Sequence, residues 1–131
     1  MLNFKLGMLI REIFIANQKK KILITKKSTK SELQILKLLF QDNLILSYKK
    51  KDKDIYDIFL KPINSNLFFK KFKIISKPGR RIYVSVAQLK EFIYFNPFNI
   101  AYISTSYGIL NLKTAIKYNV GGEFLVIVQL S

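Results

Sequence analysis

Apolar residues at Leu2, Leu6, Leu9, Ile10 and Ile13 recur every three or four positions, with Asn3, Lys5, Arg11 and Glu12 between them. That spacing lays one apolar stripe along a helix and predicts an element over residues 2–16. The polar run Gln18-Lys19-Lys20-Lys21 closes it, and Ile22-Leu23-Ile24-Thr25 reads as a short buried strand. A basic loop follows, in which Thr29 and Glu32 have the spacing of a capping box, so a second helix is expected from about Lys30. Ile35, Leu36, Leu39 and Phe40 would form its core face. Gln41-Asp42-Asn43 marks its end, because short polar side chains favour turns over helix interiors. Residues 44–48 and 55–60 read as two strands, joined by a charged hairpin tip over residues 49–54.

Pro62 and Asn64-Ser65-Asn66 then interrupt the pattern and place a subdomain boundary, with one unit over residues 1–63 and a second over 64–131. Residues 67–75 and 81–86 are rich in β-forming side chains and are separated by Pro78-Gly79, a strong turn signal. Residues 88–95 read as a short helix and residues 100–103 as a strand. Ser104-Thr105-Ser106-Tyr107-Gly108 reads as a hydroxyl-rich loop leading to a helical turn around Thr114-Ala115-Ile116. Residues 124–128 are apolar at every position, as expected of a central strand buried on both faces. The fold class is therefore α+β, with two small subdomains. The first is an α/β unit of helix-strand-helix-strand-strand order; the second is β-rich with a short helix.

Composition turns this outline towards a partner. Half of the 131 residues are hydrophobic, which is enough for a core that offsets the ordering entropy. Against them stand 23 Lys+Arg and 8 Asp+Glu, a formal net charge of +15, far beyond what solubility needs. A polyanion is the expected ligand. The chain has no His and no Cys, so imidazole-based triads, thiol nucleophiles and Cys- or His-held metals are excluded, and neither catalysis nor a cofactor is expected. Charges break every apolar stretch well short of the roughly 20 residues that a membrane helix needs. Lys5, Arg11 and Glu12 interrupt any signal-peptide core, and the composition of an organellar transit peptide is missing. Lys outnumbers Arg by 20 to 3 and Ile, Asn, Phe and Tyr are abundant, the bias of AT-rich coding sequence in an organelle or an AT-rich bacterium.

The lysine clusters at 19–21, 26–30, 49–53 and 70–77 suit phosphate, since an ammonium on a flexible stem neutralises charge without demanding geometry. Each alone could be a solvated loop; the total charge argues against all being idle. Ser104, Thr105 and Ser106 offer short hydroxyls that let an RNA backbone, base edges or 2′-hydroxyls approach closely, although a turn satisfying its own backbone would look the same. Lys77, Arg80, Arg81 and Tyr83 combine a fixed turn, two guanidiniums and a phenol, a setting for bidentate phosphate contact. Glu123, after two glycines and before the apolar strand, is a partly buried carboxylate suited to orienting donors, or else a strand-edge charge.

Taken together, Ser76-Lys77-Pro78-Gly79-x-Arg81-Ile82-Tyr83, Ser104-Thr105-Ser106-x-Gly108-Ile109, Ala115 and Gly121-Gly122-Glu123 resemble, in order and spacing, the universal S-eight family of small-subunit ribosomal proteins. Met8-Leu9, Arg11 and Ser28-Thr29-Lys30 extend the likeness into the first half. The resemblance implies a non-enzymatic rRNA-binding protein of two subdomains that contacts the central domain of small-subunit rRNA early in assembly, beside neighbouring ribosomal proteins. It assigns the RNA contact to Ser104, Thr105, Ser106, Tyr107 and Gly108, with Tyr83, Lys77, Arg80, Arg81 and Glu123 nearby. From the first subdomain it adds Lys26, Lys27, Ser28, Thr29 and Lys30. With the compositional bias it implies an organelle-encoded member, mitochondrial in the first place, with a plastid-type organelle or a bacterial cytoplasm as the alternative. Two rivals remain at this point: a non-ribosomal RNA regulator or chaperone, and a basic membrane-surface protein using the first helix and lysines 19–21.

Overall fold

The computed structural model describes residues 2–60, 69–77, 79–97 and 99–130, which fall into two units, one ending at Phe69 and one over Lys70–Leu130. The expected boundary at Pro62 to Asn66 lies outside the described residues, as do Pro78 of the turn and residues 67–68 of the expected strand.

The first unit contains α1 (Leu2–Gln18), β1 (Leu23–Lys27), α2 (Lys30–Gln41), β2 (Ser47–Asp52) and β3 (Ile55–Phe59). Its three strands form an antiparallel sheet of order β1-β3-β2. Leu6, Leu9, Ile10 and Ile13 of α1 are buried, as the stripe predicts, with Ile35, Leu36 and Leu39 of α2 and Ile58 of β3. Several details differ from expectation. β1 is a sheet edge: Ile22 before it is 78% exposed and Leu23 is exposed too, because an edge strand has no neighbour on one side. It also runs on through Lys26 and Lys27, which therefore belong to the strand and not to the basic loop. Phe40 is exposed, its ring meeting Tyr48 edge-on at 6.1 Å. Thr29 caps α2 by position, but its hydroxyl donates to the Glu32 carboxylate at 3.5 Å instead of accepting from a backbone N–H, and Glu32 also pairs with Lys5 at 3.1 Å, so the box does not close. Leu44 and Ile45 are buried on the way out of α2, and β2 starts at Ser47 instead. The hairpin tip consequently shrinks to Lys53-Asp54, with Asp54 at φ 58°.

The second unit contains β4 (Phe69–Ile74), β5 (Tyr83–Val84), α3 (Val86–Phe95), β6 (Asn99–Thr105), β7 (Gly108–Asn111), α4 (Leu112–Lys117) and β8 (Gly122–Leu130). Its sheet has the order β4-β8-β6-β7, with β5 pairing β8 as well. The apolar run expected to be central is central: Phe124, Leu125, Val126 and Val128 are buried, and β8 is hydrogen-bonded on both edges. One face of the sheet presents Ala101, Ile103 and Phe124 to Leu89 of α3 and to Leu112 and Ala115 of α4. Phe92 meets Phe124 edge-on at 5.5 Å across this core.

The short helix begins two residues earlier than expected, because Ser85 and Gln88 form the capping box that Thr29 and Glu32 do not. The β-rich run at 81–86 reduces to two paired residues. Of the loop expected over Ser104–Gly108 only Ser106 and Tyr107 are a turn: β6 runs on through Ser104 and Thr105, and Gly108 opens strand β7, because the two strands pair as a hairpin.

Candidate nucleic-acid interface

The face of the second sheet turned away from α3 and α4 carries three of the residues that the sequence singled out, Tyr83, Ser104 and Glu123. Along β6 side chains alternate, so Ile103 points to the helices and Ser104 to the opposite face. Register then aligns a row: Tyr83 on β5 pairs Glu123 on β8, Glu123 pairs Ser104 on β6, and Ser104 pairs Ile109 on β7. Cross-strand partners point the same way, and Tyr83 and Ser104 sit two strand spacings, about 10 Å, apart. Residues 83, 104 and 123 are thus brought together from three separate strands.

Two glycines allow this closeness. A Cβ on Gly122 would fall on the carbonyl oxygen of Ser104, and one on Gly121 would fall on that of Val84. The Gly-Gly pair before Glu123 is required by packing of backbone on backbone.

The hydroxyl segment divides by role. Ser106 and Tyr107 form a two-residue turn between β6 and β7, and Gly108 takes φ 101°, which L side chains avoid. Thr105 serves that turn: its Oγ1 donates to the Gly108 carbonyl at 2.9 Å and accepts from the Tyr107 N–H at 3.0 Å. The hydroxyls of Ser104 and Ser106 make no hydrogen bond to another described residue. Ser106 is exposed and Ser104 partly so. The plain reading of a self-satisfied turn therefore describes Thr105 and leaves two hydroxyls available.

Glu123 has only 11% of its side chain exposed, and its Oε1 lies 3.8 Å from Arg81 Nε. The Arg81 side chain is 55% exposed, and at this distance the carboxylate attracts it at Nε without a hydrogen bond that would consume its donors. Tyr83 stands 66% exposed beside it. Ser76, present in the sequence motif but not singled out, ties this segment down. Its Oγ accepts from the Ile82 N–H at 3.0 Å while Ile82 O accepts from the Phe124 N–H at 2.8 Å. Lys77 and Arg80 exchange both backbone hydrogen bonds, at 3.0 and 2.9 Å, and present two exposed cations at the end of a tight turn. Glu91 and Glu123 are the only acidic residues after position 63, so this unit's surface is nearly all cationic where it is charged.

In the first unit the expected contacts separate. Ser28 is 3% exposed, its N–H donating to the Asp54 carbonyl at 2.7 Å, so it fixes the segment from within. Lys26 is paired with Glu12 at 3.0 Å. Lys27, Thr29 and Lys30 remain displayed to solvent. No described helix is long and apolar enough to cross a membrane.

Comparison with known proteins agrees with this arrangement. The family profile described as Ribosomal protein S8 matches residues 6–129. "Small ribosomal subunit protein uS8" of Wigglesworthia glossinidia brevipalpis is 37% identical over 112 residues, covering 84% of this chain and 85% of that protein. The protein of the same name from Mycoplasmoides gallisepticum is 35% identical over 126 residues, covering 92% and 93%. "Small ribosomal subunit protein uS8m" of Acanthamoeba castellanii is 30% identical over 100 residues, covering 76% and 79%. With the match spanning both units and every strand of the row, the chain belongs to the ribosomal protein S8 family, whose members are structural and not enzymes.

Proposed function

We propose that this protein is the S8 component of an organellar small ribosomal subunit, mitochondrial by preference, and that it binds the central domain of the small-subunit rRNA and favours its folding during assembly. The observation that carries this reading is the row Tyr83-Glu123-Ser104, flanked by the unbonded hydroxyl of Ser106 and by Lys77, Arg80 and Arg81. Hydroxyls at fixed positions match base edges and 2′-hydroxyls of an irregular helix, whereas the cations neutralise phosphates on either side. Binding to the folded RNA only would stabilise that fold by mass action. Lys27, Thr29 and Lys30 add contacts from the first unit, with Ser28 and Lys26 holding their strand and loop in place. Division of labour between residues 1–63 and 64–131 follows, the second supplying specificity and the first affinity and contacts to neighbouring ribosomal proteins. The organellar assignment rests on the Lys-, Ile- and Asn-rich composition and on the presence of a mitochondrial protein, uS8m of Acanthamoeba castellanii, beside bacterial relatives.

Sedimentation tests the assignment. In a sucrose gradient of organelle lysate the protein is expected with the small subunit, and crosslinks from residues 104–108 are expected in the central domain of its rRNA. Crosslinks confined to messenger RNA would favour a regulator, and co-sedimentation with liposomes instead of subunits would favour a membrane-surface protein.

A further inference from the structure

Beside the hydroxyl turn lie two aromatic rings that the row does not use. Tyr107 occupies the turn itself, and Tyr118 follows α4 as its C-cap. Their ring centroids are 5.4 Å apart with planes inclined at 41°, yet Tyr107 is 66% and Tyr118 52% exposed. Two large rings that touch each other and still face water give this turn a joined aromatic surface; Tyr94 and Phe95 also touch, at 5.1 Å, but lie on α3 away from the hydroxyls. Both are held from the backbone. The Tyr107 N–H donates to Thr105 Oγ1 at 3.0 Å, and the Tyr118 N–H donates to the Thr114 carbonyl at 3.0 Å. Each phenol carries only two rotatable side-chain bonds, so ordering them on a ligand costs little.

The surroundings decide what the pair accepts. α4 has no acidic residue, and Lys113 and Lys117 are exposed on it, while Ser106 stands next to Tyr107 with a free hydroxyl. A ligand with a flat apolar face, hydrogen-bonding edges and phosphates fits these three features at once. We propose that Tyr107 and Tyr118 form a stacking platform for one unpaired base of the bound RNA, an inference that rests on the RNA-binding reading of the adjacent turn. The base lies on the open face of Tyr107, and Tyr118 is a positioning residue that props the ring from the other side. Insertion between the rings is ruled out by their spacing, because a sandwiched base needs roughly 7 Å, twice the ~3.4 Å rise of stacked bases. Base-on-aromatic stacking is sequence-tolerant, so the platform reads that a base is unpaired and not which base it is.

The test uses the full chain and a synthetic RNA spanning the central-domain helix, with 2-aminopurine placed at each unpaired position in turn. The wild-type protein is expected to quench one such position, and Tyr107→Phe to keep the quench. Tyr107→Leu should abolish it and weaken binding by about 5- to 100-fold, the range of one base-aromatic stack. Tyr118→Leu should reduce both effects partially, at an unchanged melting temperature. If Ser104→Ala weakens binding but both leucine variants bind and quench like wild type, the platform is wrong while the turn stands as the RNA site. If the wild-type chain does not bind this RNA saturably, the RNA reading itself fails and the platform with it. Leucine variants that bind RNA normally but no longer associate with purified small-subunit proteins would overturn the proposal in favour of a protein-docking surface.

Discussion

Removing the hydroxyl of Ser104 or Ser106 takes away a group that the protein does not use internally, whereas removing that of Thr105 breaks two bonds within a turn. Ser104→Ala and Ser106→Ala are therefore expected to leave thermal unfolding unchanged and to weaken rRNA binding by roughly 1–3 kcal/mol each, because the RNA partner is left dehydrated and unpaired. Thr105→Ala should lower stability by about 1 kcal/mol with a smaller direct effect on affinity. Melting temperatures and dissociation constants measured on the same three variants check this; equal stability losses at all three positions would return the serines to a structural role. Lys51 gives the contrasting case. It lies exposed where β2 slips register between Lys50 and Asp52, and Lys51→Ala should remove at most about one unit from the salt slope of RNA binding.

Capping chemistry separates the two long polar-to-apolar transitions that look alike in sequence. Ser85→Ala breaks a closed capping box on α3 and should cost about 1 kcal/mol, whereas Thr29→Ala, which removes only a long bond to the Glu32 side chain, should cost no more than a few tenths. Chemical denaturation of the two variants measures the difference directly. At the β6 and β8 junction, Gly122→Ala drives a methyl into the Ser104 carbonyl and should destabilise by about 1–3 kcal/mol while also displacing Ser104 from the row, so affinity and stability fall together. The helices and the central strand were legible because their patterns are local: three- to four-residue spacing for α1 and α2, and unbroken apolar sequence for β8. β7 was not, since Gly108 to Asn111 carries no alternation, and only pairing with β6 makes it a strand. Nor could the burial of β1 be read correctly, because Ile22-Leu23-Ile24 has the same composition at a sheet edge as at a centre. The candidate residues of the row stood out through their motifs. Their alignment was not, because the row depends on register between strands that are distant in sequence. Tyr118 carried no signal of its own until the fold set its ring against Tyr107.

Across the whole chain, on the proposed function, the charge of +15 makes RNA affinity an electrolyte effect as well as a fit of surfaces. The logarithm of affinity should fall linearly with the logarithm of salt concentration, by about 0.7–0.9 for each phosphate neutralised, in filter-binding or fluorescence titrations. A flat response would contradict a phosphate-contacting role for the lysines. A fragment over residues 67–131 should keep its preference for the central-domain helix over a random duplex with a shallower salt slope, since it leaves behind Lys27 and Lys30. Finally, the strand with which β4, β5 and β6 of the second unit all pair is the last of that unit's strands in chain order. Among the described residues β4 and β5 find their partner in β8 alone, and Glu123, the middle of the Tyr83-Glu123-Ser104 row, is carried on it. While a nascent chain lacks residues 122–130, its β6-β7 hairpin has form but the row has no centre. On the proposed function, a polypeptide released before residue 122 is expected to engage its rRNA poorly, so the order of translation itself would keep incomplete copies out of assembly.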